Sequence, residues 1–264
     1  MPQGCERVAA QGADARPESR RDVGVLPVID KAPSSDERER TAVDGDALVL
    51  ALVRRFRTSV QEAIVDDHVF SILKPANADD LIREDDFVKD ERLPYWADVW
   101  PSSLILAGKL LELHGDGQTA LELGCGVGLS TLAATSAGFD VLSTDYYQDA
   151  LDVTQANVFR NLGLTARTRL VDWRHIPRDL GTFDLVFASD VLYEKEYALL
   201  LPIILCRVLE PEGTALIGDP GRVAAPMFVE ACEAHGLKIR DKETRPFAAG
   251  EIKQNIDIYE IGRG

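Results

Sequence analysis

The sequence predicts an α/β protein with a seven-stranded, mostly parallel β-sheet, helices on both faces of the sheet and an antiparallel final strand. Two observations predict this class. Short apolar runs typical of buried strands alternate with helical patterns along most of the chain. Four of these runs end in an acidic residue, which would bring polar side chains together at the carboxyl edge of a parallel sheet. Those residues are Glu122, Asp145, Asp172 and Asp190.

Three segments are expected along the chain. Residues 1–44 are rich in Pro, Ser, Gly and charged residues, and they cannot bury enough apolar surface to offset the entropy of ordering. We therefore expect a disordered tail there. Residues 45–98 are predicted to form an N-terminal extension of one helix and a β-hairpin. Residues 99–264 would form the domain that carries the function.

The extension is predicted from two patterns. Apolar residues recur at helical spacing over residues 46–57, which indicates a first helix. Residues 60–65 and 69–73 flank a turn at Asp66 and Asp67, which predicts a hairpin. Because the hairpin precedes the main sheet, it is a candidate lid or substrate-recognition element. The polar residues 74–90 are predicted to form a loop.

The main sheet is predicted from strands that alternate with helices. The strands are predicted over residues 119–123, 141–144, 168–171, 183–188, 214–217, 237–241 and 252–259. The helices are predicted over residues 103–114, 129–137, 148–162, 195–209 and 226–235. This alternation is typical of a Rossmann-like sheet. The last two strands have no helix between them and would add an antiparallel edge.

Composition limits the classes of function. The 264 residues are 45% hydrophobic, which is enough for a buried core. The formal net charge of −15 disfavours non-specific binding to nucleic acid or to an anionic membrane, because that binding needs clustered Lys and Arg. The four cysteines lie far apart without a C-x-x-C pair, which indicates neither a zinc site nor a disulfide framework.

The same features set our expectations for the cell compartment. No apolar segment is long enough to span a bilayer, and the N-terminus has no signal-peptide pattern. We expect a soluble, monomeric protein of a reducing compartment, either the cytoplasm or, in a eukaryotic cell, the mitochondrial matrix.

The glycine-rich segment T-A-L-E-L-G-C-G-V-G-L-S carries the strongest functional signal. A strand that turns into a helix through Gly124, Gly126 and Gly128 brings backbone N–H groups to the end of a sheet, where a nucleotide-like ligand can bind. The third glycine comes one residue earlier than in the dinucleotide fingerprint, and Glu122 disfavours phosphate there. Asp145 could accept hydrogen bonds from both hydroxyls of a ribose. The alternative is a plain strand-to-helix turn.

An aromatic cluster precedes the first helix of the main domain. Two interpretations stay open: the cluster packs that helix on the sheet, or it borders a site. In the second case Trp100 and Pro101 would line a cofactor site, and Tyr95 or Trp96 would border the substrate entrance.

Four motifs together resemble the class I, seven-β-strand protein-lysine methyltransferases of the Asp-x-x-Tyr group, which use S-adenosyl-L-methionine (SAM). The motifs are Trp100-Pro101-Ser102, E-L-G-C-G-V-G from Glu122, Asp172-Trp173, and Asp190 with Tyr193. The similarity covers residues 60–261. Two further patches, residues 94–97 and 217–222, are similar to the enzymes that methylate the β subunit of electron-transfer flavoprotein and to bacterial relatives labelled nicotinamide N-methyltransferases.

The resemblance implies a SAM-dependent methyltransferase domain over residues 99–264 and a protein substrate that presents a lysine. It also implies roles for residues at matching positions: the loop at the methionine end of the cofactor is shaped by Gly124, Gly126 and Gly128, the ribose is held by Asp145, the adenine by Asp172 and Trp173, and the lysine amine by Asp190 and Tyr193. Glu122 would act through the loop or a water near the cofactor's amino group. Arg222 either steadies the substrate-side loop or is a surface cation.

Other interpretations stay open at this stage. Asp190 also suits a helix N-cap, and Tyr193 also suits plain packing. Asp172 and Trp173 could be no more than a polar strand end followed by a core tryptophan. A small-molecule N-methyltransferase acting on a nicotinamide-like amine would use the same cofactor residues, and a non-catalytic SAM-binding protein would retain them. A nucleic-acid methyltransferase is disfavoured, because the Asp190-Val-Leu-Tyr segment lacks the Pro-Pro that clasps a flipped base.

Overall fold

The computed structural model describes residues 44–81 and 94–264, together with the backbone of strand β1 (Arg7–Ala9). Most of the predicted tail over residues 1–44 and the end of the predicted loop over residues 74–90 lie outside these residues. In the part of the chain described, no helix is long and apolar enough to cross a membrane.

The N-terminal extension consists of a helix and a hairpin. Helix α1 (Gly45–Arg55) begins where the Asp44 side chain accepts hydrogen bonds from two backbone N–H groups of the first turn. Strands β2 (Thr58–Val65) and β3 (His68–Pro75) pair antiparallel around Asp66, whose φ is 50°. These are the elements that the hydrophobic pattern predicts.

Seven strands form the main sheet. They are β4 (Thr119–Leu123), β5 (Asp140–Asp145), β6 (Arg167–Leu170), β7 (Phe183–Ser189), β8 (Leu209–Asp219), β9 (Leu237–Ala249) and β10 (Ile252–Arg263). Their order is β6-β5-β4-β7-β8-β10-β9, and the first five run parallel. The predicted fold class is therefore confirmed.

The last strands differ in detail from the expectation. The final strand β10 is antiparallel to both of its neighbours, but it lies inside the sheet, and β9 occupies the edge. Strands β8 and β9 are longer than predicted because charged residues such as Glu210, Glu212, Lys242 and Arg245 interrupt the apolar pattern of the added stretches, which weakens the hydrophobic signal.

Helices cover both faces of the sheet. They are α2 (Pro101–Leu111), α3 (Leu129–Ser136), α4 (Gln148–Leu162), α5 (Lys195–Val208) and α6 (Ala225–Ala234). Two hydrophobic cores result, one beneath α2, α3 and α4 and the other beneath α5 and α6. Neighbouring residues of one strand enter different cores: Ala120 faces the first and Leu121 the second.

The chain order reverses at β4, because β5 lies on one side of it and β7 on the other. Such a reversal opens a crevice at the carboxyl ends of the strands. Gly124, Gly126 and Gly128 follow β4 at this point, with φ values of 80°, 53° and 84° that L side chains rarely adopt. The fold thus places the glycine turn at the crevice.

The hairpin is fixed to α4 by two asparagines one helical turn apart. The side-chain amide of Asn157 accepts from Leu73 N at 2.8 Å and donates to Leu73 O at 2.9 Å. Asn161 makes the same pair of bonds to the backbone of Ser71. Asn157 also donates to Val127 O in the glycine turn at 2.8 Å. No residue of the hairpin lines the cavity described below, and its role as a lid or substrate-recognition element stays a prediction.

We predict that Asn157→Ala lowers the free energy of unfolding by about 2 to 4 kcal/mol, because it leaves three buried backbone groups without their partner. Urea unfolding would measure the loss. The matched control is Gln155→Ala on the same helix, which removes one bond to the Thr168 side chain. Equal losses in the two variants would contradict the prediction.

Candidate active site

A cavity of about 430 Å³ opens at the carboxyl ends of β4, β5 and β7. It is lined by all three tryptophans of the chain and by five of its six tyrosines. The cavity brings together eight of the ten predicted site residues: Trp100, Gly124, Gly126, Asp145, Asp172, Trp173, Asp190 and Tyr193. Glu122 and Gly128 are not among the residues that line it.

A side chain at each of the three glycines of the turn would meet a different neighbour. A Cβ on Gly126 would lie 3.1 Å from the backbone oxygen of Trp96, so a side chain there would push that segment away by a few tenths of an ångström. A Cβ on Gly128 would lie 2.8 Å from the Thr154 hydroxyl of α4. Gly128 therefore allows helix packing behind the turn, whereas Gly124 and Gly126 form the wall of the cavity.

Asp145 fixes the glycine turn from the neighbouring strand. One carboxylate oxygen accepts from Gly126 N at 3.0 Å and the other from Tyr147 N at 2.9 Å. Burial raises the pKa of Asp145, and the backbone N–H groups partly offset that rise. The Tyr146 N–H also binds this carboxylate, so backbone groups occupy about three of its four acceptor positions and one is left for the predicted contact with the ribose.

Asp172 and Trp173 form the far wall. The Asp172 carboxylate accepts from Arg174 N and Nε, both at 3.0 Å. Burial alone would raise the pKa of Asp172, but hydrogen bonds from Arg174 and His175 outweigh it and lower the pKa to about 2. Trp173 is half-buried and packs edge to face on Tyr197, with ring centroids 5.5 Å apart. The carboxylate is thus ionised at neutral pH, and the indole stands beside it.

Glu122 lies behind the glycine turn. It is 2% exposed and accepts a hydrogen bond from the Thr131 hydroxyl of α3, which also contacts Ser143 Oγ at 2.7 Å. Burial raises the pKa of Glu122 to about 8. A mostly protonated carboxyl in this position supports the first turn of α3 and is separated from the cavity by the loop.

Asp190 follows β7 in the left-handed region, with φ at 55°. Its N–H donates to Gly218 O at 2.8 Å, and its Oδ1 accepts from Arg222 Nε at 2.7 Å and lies 2.7 Å from Arg222 Nη2 in an ion pair. Helix α5 begins at Lys195 with Glu194 at its N-cap, so the N-cap interpretation of Asp190 is wrong. The Asp190 carboxylate therefore does not cap the helix, and it lines the cavity.

Tyr193 belongs to a row of four aromatic rings. Tyr95, Tyr193, Tyr197 and Trp173 follow one another edge to face, with centroid separations of 5.5, 5.2 and 5.5 Å. Desolvation, followed by the nearby Tyr197, Glu194 and Asp145, raises the pKa of Tyr193. Its hydroxyl therefore stays protonated and can donate a hydrogen bond or accept one.

Both interpretations of the upstream aromatic cluster hold in part. Trp96 is buried and packs edge to face on Phe56 at 6.4 Å, as a core residue does. Trp96 also lines the cavity, together with Tyr95 and Trp100, and the Trp100 indole donates to Tyr95 O at 2.8 Å. Pro101 is instead the first residue of α2, where its missing N–H is tolerated.

Sequence reasoning missed two partners of the site. It left Arg222 as a loop residue or a surface cation, whereas the guanidinium contacts Asp190. It did not single out Tyr197, which joins Tyr193 to Trp173. The sequence signal that could have pointed to Arg222 is Asp219, an acidic residue at the end of a strand. Its side chain binds the Arg222 backbone, so the segment that carries Arg222 lies at the carboxyl edge of the sheet.

The charges of the cavity favour a cationic ligand with an aromatic part. Its lining holds five carboxylates, on Asp98, Asp145, Asp172, Asp190 and Glu194, and one cationic side chain, Arg222, which is bound to Asp190. A phosphate-bearing ligand would find no uncommitted cation among these lining residues. A buried acid beside the glycine turn and aromatic walls suit a nucleoside that carries a positive charge.

Glu122 gives a prediction on stability and pH. Because its folded-state pKa is raised from 4.5 to about 8, the stabilising effect of the neutral carboxyl is complete below about pH 4.5 and is lost as pH rises to 8. In Glu122→Gln that loss disappears. Relative to the variant, the wild type should lose about 2 to 4 kcal/mol of unfolding free energy between pH 5 and pH 8.5.

Urea unfolding of both proteins at the two pH values would measure this difference. Asp116→Asn is the matched control, since Asp116 is exposed and its left-handed φ of 47° is one that Asn tolerates. A parallel pH dependence in the wild type and Glu122→Gln would contradict the prediction.

Comparison with known proteins places the chain in a family. A family model described as lysine methyltransferase matches residues 89–228, which is more than half of the chain. The electron transfer flavoprotein beta subunit lysine methyltransferase of Xenopus laevis is 35% identical over 136 residues, which are 49% of this chain and 53% of the relative. The mouse EEF1A lysine methyltransferase 3 is 33% identical over 139 residues, 50% of this chain and 58% of the relative.

The chain thus spans about half the length of the curated relatives that it matches. Among solved structures, the magnesium protoporphyrin IX methyltransferase of Synechocystis, crystallised with bound SAM, aligns with a TM-score of 0.52 at 16% identity. The alignment covers 62% of this chain and 80% of that one, and it shows a shared class I methyltransferase fold. On the match to the family model, the chain belongs to the lysine methyltransferase family.

Proposed function

We propose that this protein is a SAM-dependent N-methyltransferase that methylates a lysine side chain of a protein substrate. The observation that carries the proposal is the position of Asp190 and Tyr193. Both line the same cavity as the glycine turn and Asp145, so an amine acceptor and a nucleoside site adjoin each other. Family membership supports the same reaction.

The residues of the cavity fit SAM. Asp145 would hold the ribose beside the turn at Gly124 and Gly126. Asp172 would accept from the adenine amino group in place of its 3.3 Å contact with the exposed His175 ring, and Trp173 would pack against the adenine. The excess of carboxylates in the lining suits the positive charge of the cofactor. When bound, SAM supplies a methyl group on a sulfonium, with its leaving group already in place.

The protein must present a neutral amine, because a lysine ammonium has no lone pair. Asp190 can accept a hydrogen bond from the amine and orient it. The protonated Tyr193 hydroxyl adds a second acceptor without adding charge. The aromatic row from Tyr95 to Trp173 can pack against the apolar stem of the lysine and exclude water.

The β subunit of electron-transfer flavoprotein is the first candidate substrate. The similarity to the Xenopus enzyme supports it, as do the P-Y-W-A patch that starts at Pro94 and the G-D-P-G-R patch that ends at Arg222. Both patches are structurally part of the site, because Tyr95 and Arg222 line the cavity. A small amine is the rival substrate.

The test is transfer of labelled methyl from SAM to purified electron-transfer flavoprotein and, in parallel, to proteins of a cell extract. We expect labelled lysine. Asp190→Asn, which keeps the size of the side chain and tolerates the left-handed φ, should reduce the rate by about 100-fold, and Tyr193→Phe by about 10-fold. Both variants should bind SAM with nearly wild-type affinity. Tyr259→Phe, outside the cavity, is the control.

Each result has a distinct meaning for the proposal. Label on the flavoprotein supports the whole proposal, and label on another protein keeps the reaction while rejecting that substrate. Label only in the small-molecule fraction would replace the protein substrate with a small amine. Binding of SAM without any transfer would reject the enzyme.

The ribose contact gives a separate prediction on binding. Asp145→Ala should weaken the binding of SAM by about 10- to 100-fold in calorimetry, because it removes a charged acceptor. Deoxygenating the ribose should weaken binding to the wild type but have little further effect on Asp145→Ala. Asp140→Asn, at the exposed start of the same strand, is the control. Equal losses on deoxygenation in wild type and variant would assign Asp145 to the loop alone.

A further inference from the structure

Asp190 does not stand alone in the cavity, because the guanidinium of Arg222 is bound to it. We infer that Arg222 is a positioning residue that holds the Asp190 carboxylate and opposes the charged form of the substrate amine. This inference rests on the proposed function and extends it to a residue outside the Asp-x-x-Tyr motif.

The turn that carries Arg222 is fixed. Asp219 ends β8 and is fully buried, and its Oδ1 accepts from Gly221 N and Arg222 N, both at 2.8 Å. Gly221 between them adopts a φ of 84°. Because the Asp219 side chain binds the backbone of the turn, the turn has one conformation, and the Arg222 side chain extends from it toward Asp190.

Asp190 is held by this same segment at two points. Its N–H donates to Gly218 O, and its side chain accepts from Arg222, so the end of β8 supports both parts of the residue. A left-handed φ is unfavourable for most residues other than glycine. Such a backbone persists where its surroundings specify it, and here the end of β8 does so.

The ion pair leaves one acceptor for the substrate. Nε and Nη2 of Arg222 both contact Oδ1 of Asp190. Among the described residues, Oδ2 of Asp190 accepts no hydrogen bond that would occupy it. The Asp190 side chain is 5% exposed, whereas that of Arg222 is 37% exposed, so the carboxylate lies inside and the guanidinium nearer to solvent. Oδ2 is therefore the atom available to an amine N–H.

The cation also decides which form of the amine is favoured. An unpaired carboxylate would bind an ammonium tightly, and the ammonium cannot react. A guanidinium on the same carboxylate disfavours a second cation, as a neighbouring cation does for activated lysines. The other titratable groups around the pair are Asp219 of β8, Tyr95 before α2, Asp145 of β5, and Tyr193 with Glu194 after β7. Most of these groups are acidic, and among the residues that line the cavity only Arg222 carries a cationic side chain.

The experiment compares the wild type with Arg222→Gln and Arg222→Lys in the methyl-transfer assay, from pH 6.5 to pH 10. For Arg222→Gln we expect the ascending limb of the rate profile to move up by about one pH unit, so that kcat at pH 7.5 falls by up to about 10-fold. Activity should then approach that of the wild type near pH 10. Arg222→Lys, which keeps the charge, should restore the position of the limb.

Binding of SAM within threefold of the wild type and an unchanged melting temperature would show that both variants are folded. Arg178→Gln is the matched control on an exposed arginine. The inference would be overturned if the ascending limb of the rate profile did not move in Arg222→Gln, or if it moved as far in Arg222→Lys as in Arg222→Gln. Either result would leave the proposed function standing. A wild type that transfers no methyl group would overturn the proposed function and this inference with it.

Discussion

The site depends on hydrogen bonds that fix the glycine turn from both sides. From β5, the Asp145 carboxylate accepts from Gly126 N at 3.0 Å. From α4, Thr154 donates to Gly126 O at 3.1 Å and Asn157 donates to Val127 O at 2.8 Å. A turn of glycines is flexible by itself, and these bonds select one conformation of it. Since Asn157 also binds β3, the hairpin and the cavity wall share one anchor.

Acidic residues at the ends of strands also fix other loops of the crevice. Asp145, Asp172 and Asp219 each accept from backbone N–H groups two or three residues further along the chain. Each carboxylate thereby shapes the loop that follows its strand, before any ligand arrives. A substitution at such a position removes a loop constraint together with any ligand contact. Binding and turnover must therefore be measured separately to tell the two effects apart.

The sequence allowed the fold to be predicted wherever burial leaves an apolar pattern. Strands β4, β5 and β7 were found because both faces of each are covered, whereas β8 and β9 were predicted too short because charged residues interrupt the apolar pattern of their added stretches. Strand-end positions of Asp145, Asp172 and Asp190 also followed from topology. Contacts between segments that the fold brings together could not be predicted in this way. Glu122 binds Thr131 behind the loop, and Arg222 contacts Asp190 from the end of the neighbouring strand.

The cavity has to satisfy two opposed electrostatic demands. Carboxylates attract a cationic cofactor and a lysine, but the same charges would keep the lysine protonated and unreactive. Three of the five lining carboxylates are paired with a cation: Asp98 with Lys74, Asp172 with Arg174 and Asp190 with Arg222. Beside Asp190, the Tyr193 hydroxyl remains neutral. The place where we propose that the amine binds therefore offers acceptors with little net charge, while Glu194 and Asp145 add two further acidic side chains to the lining.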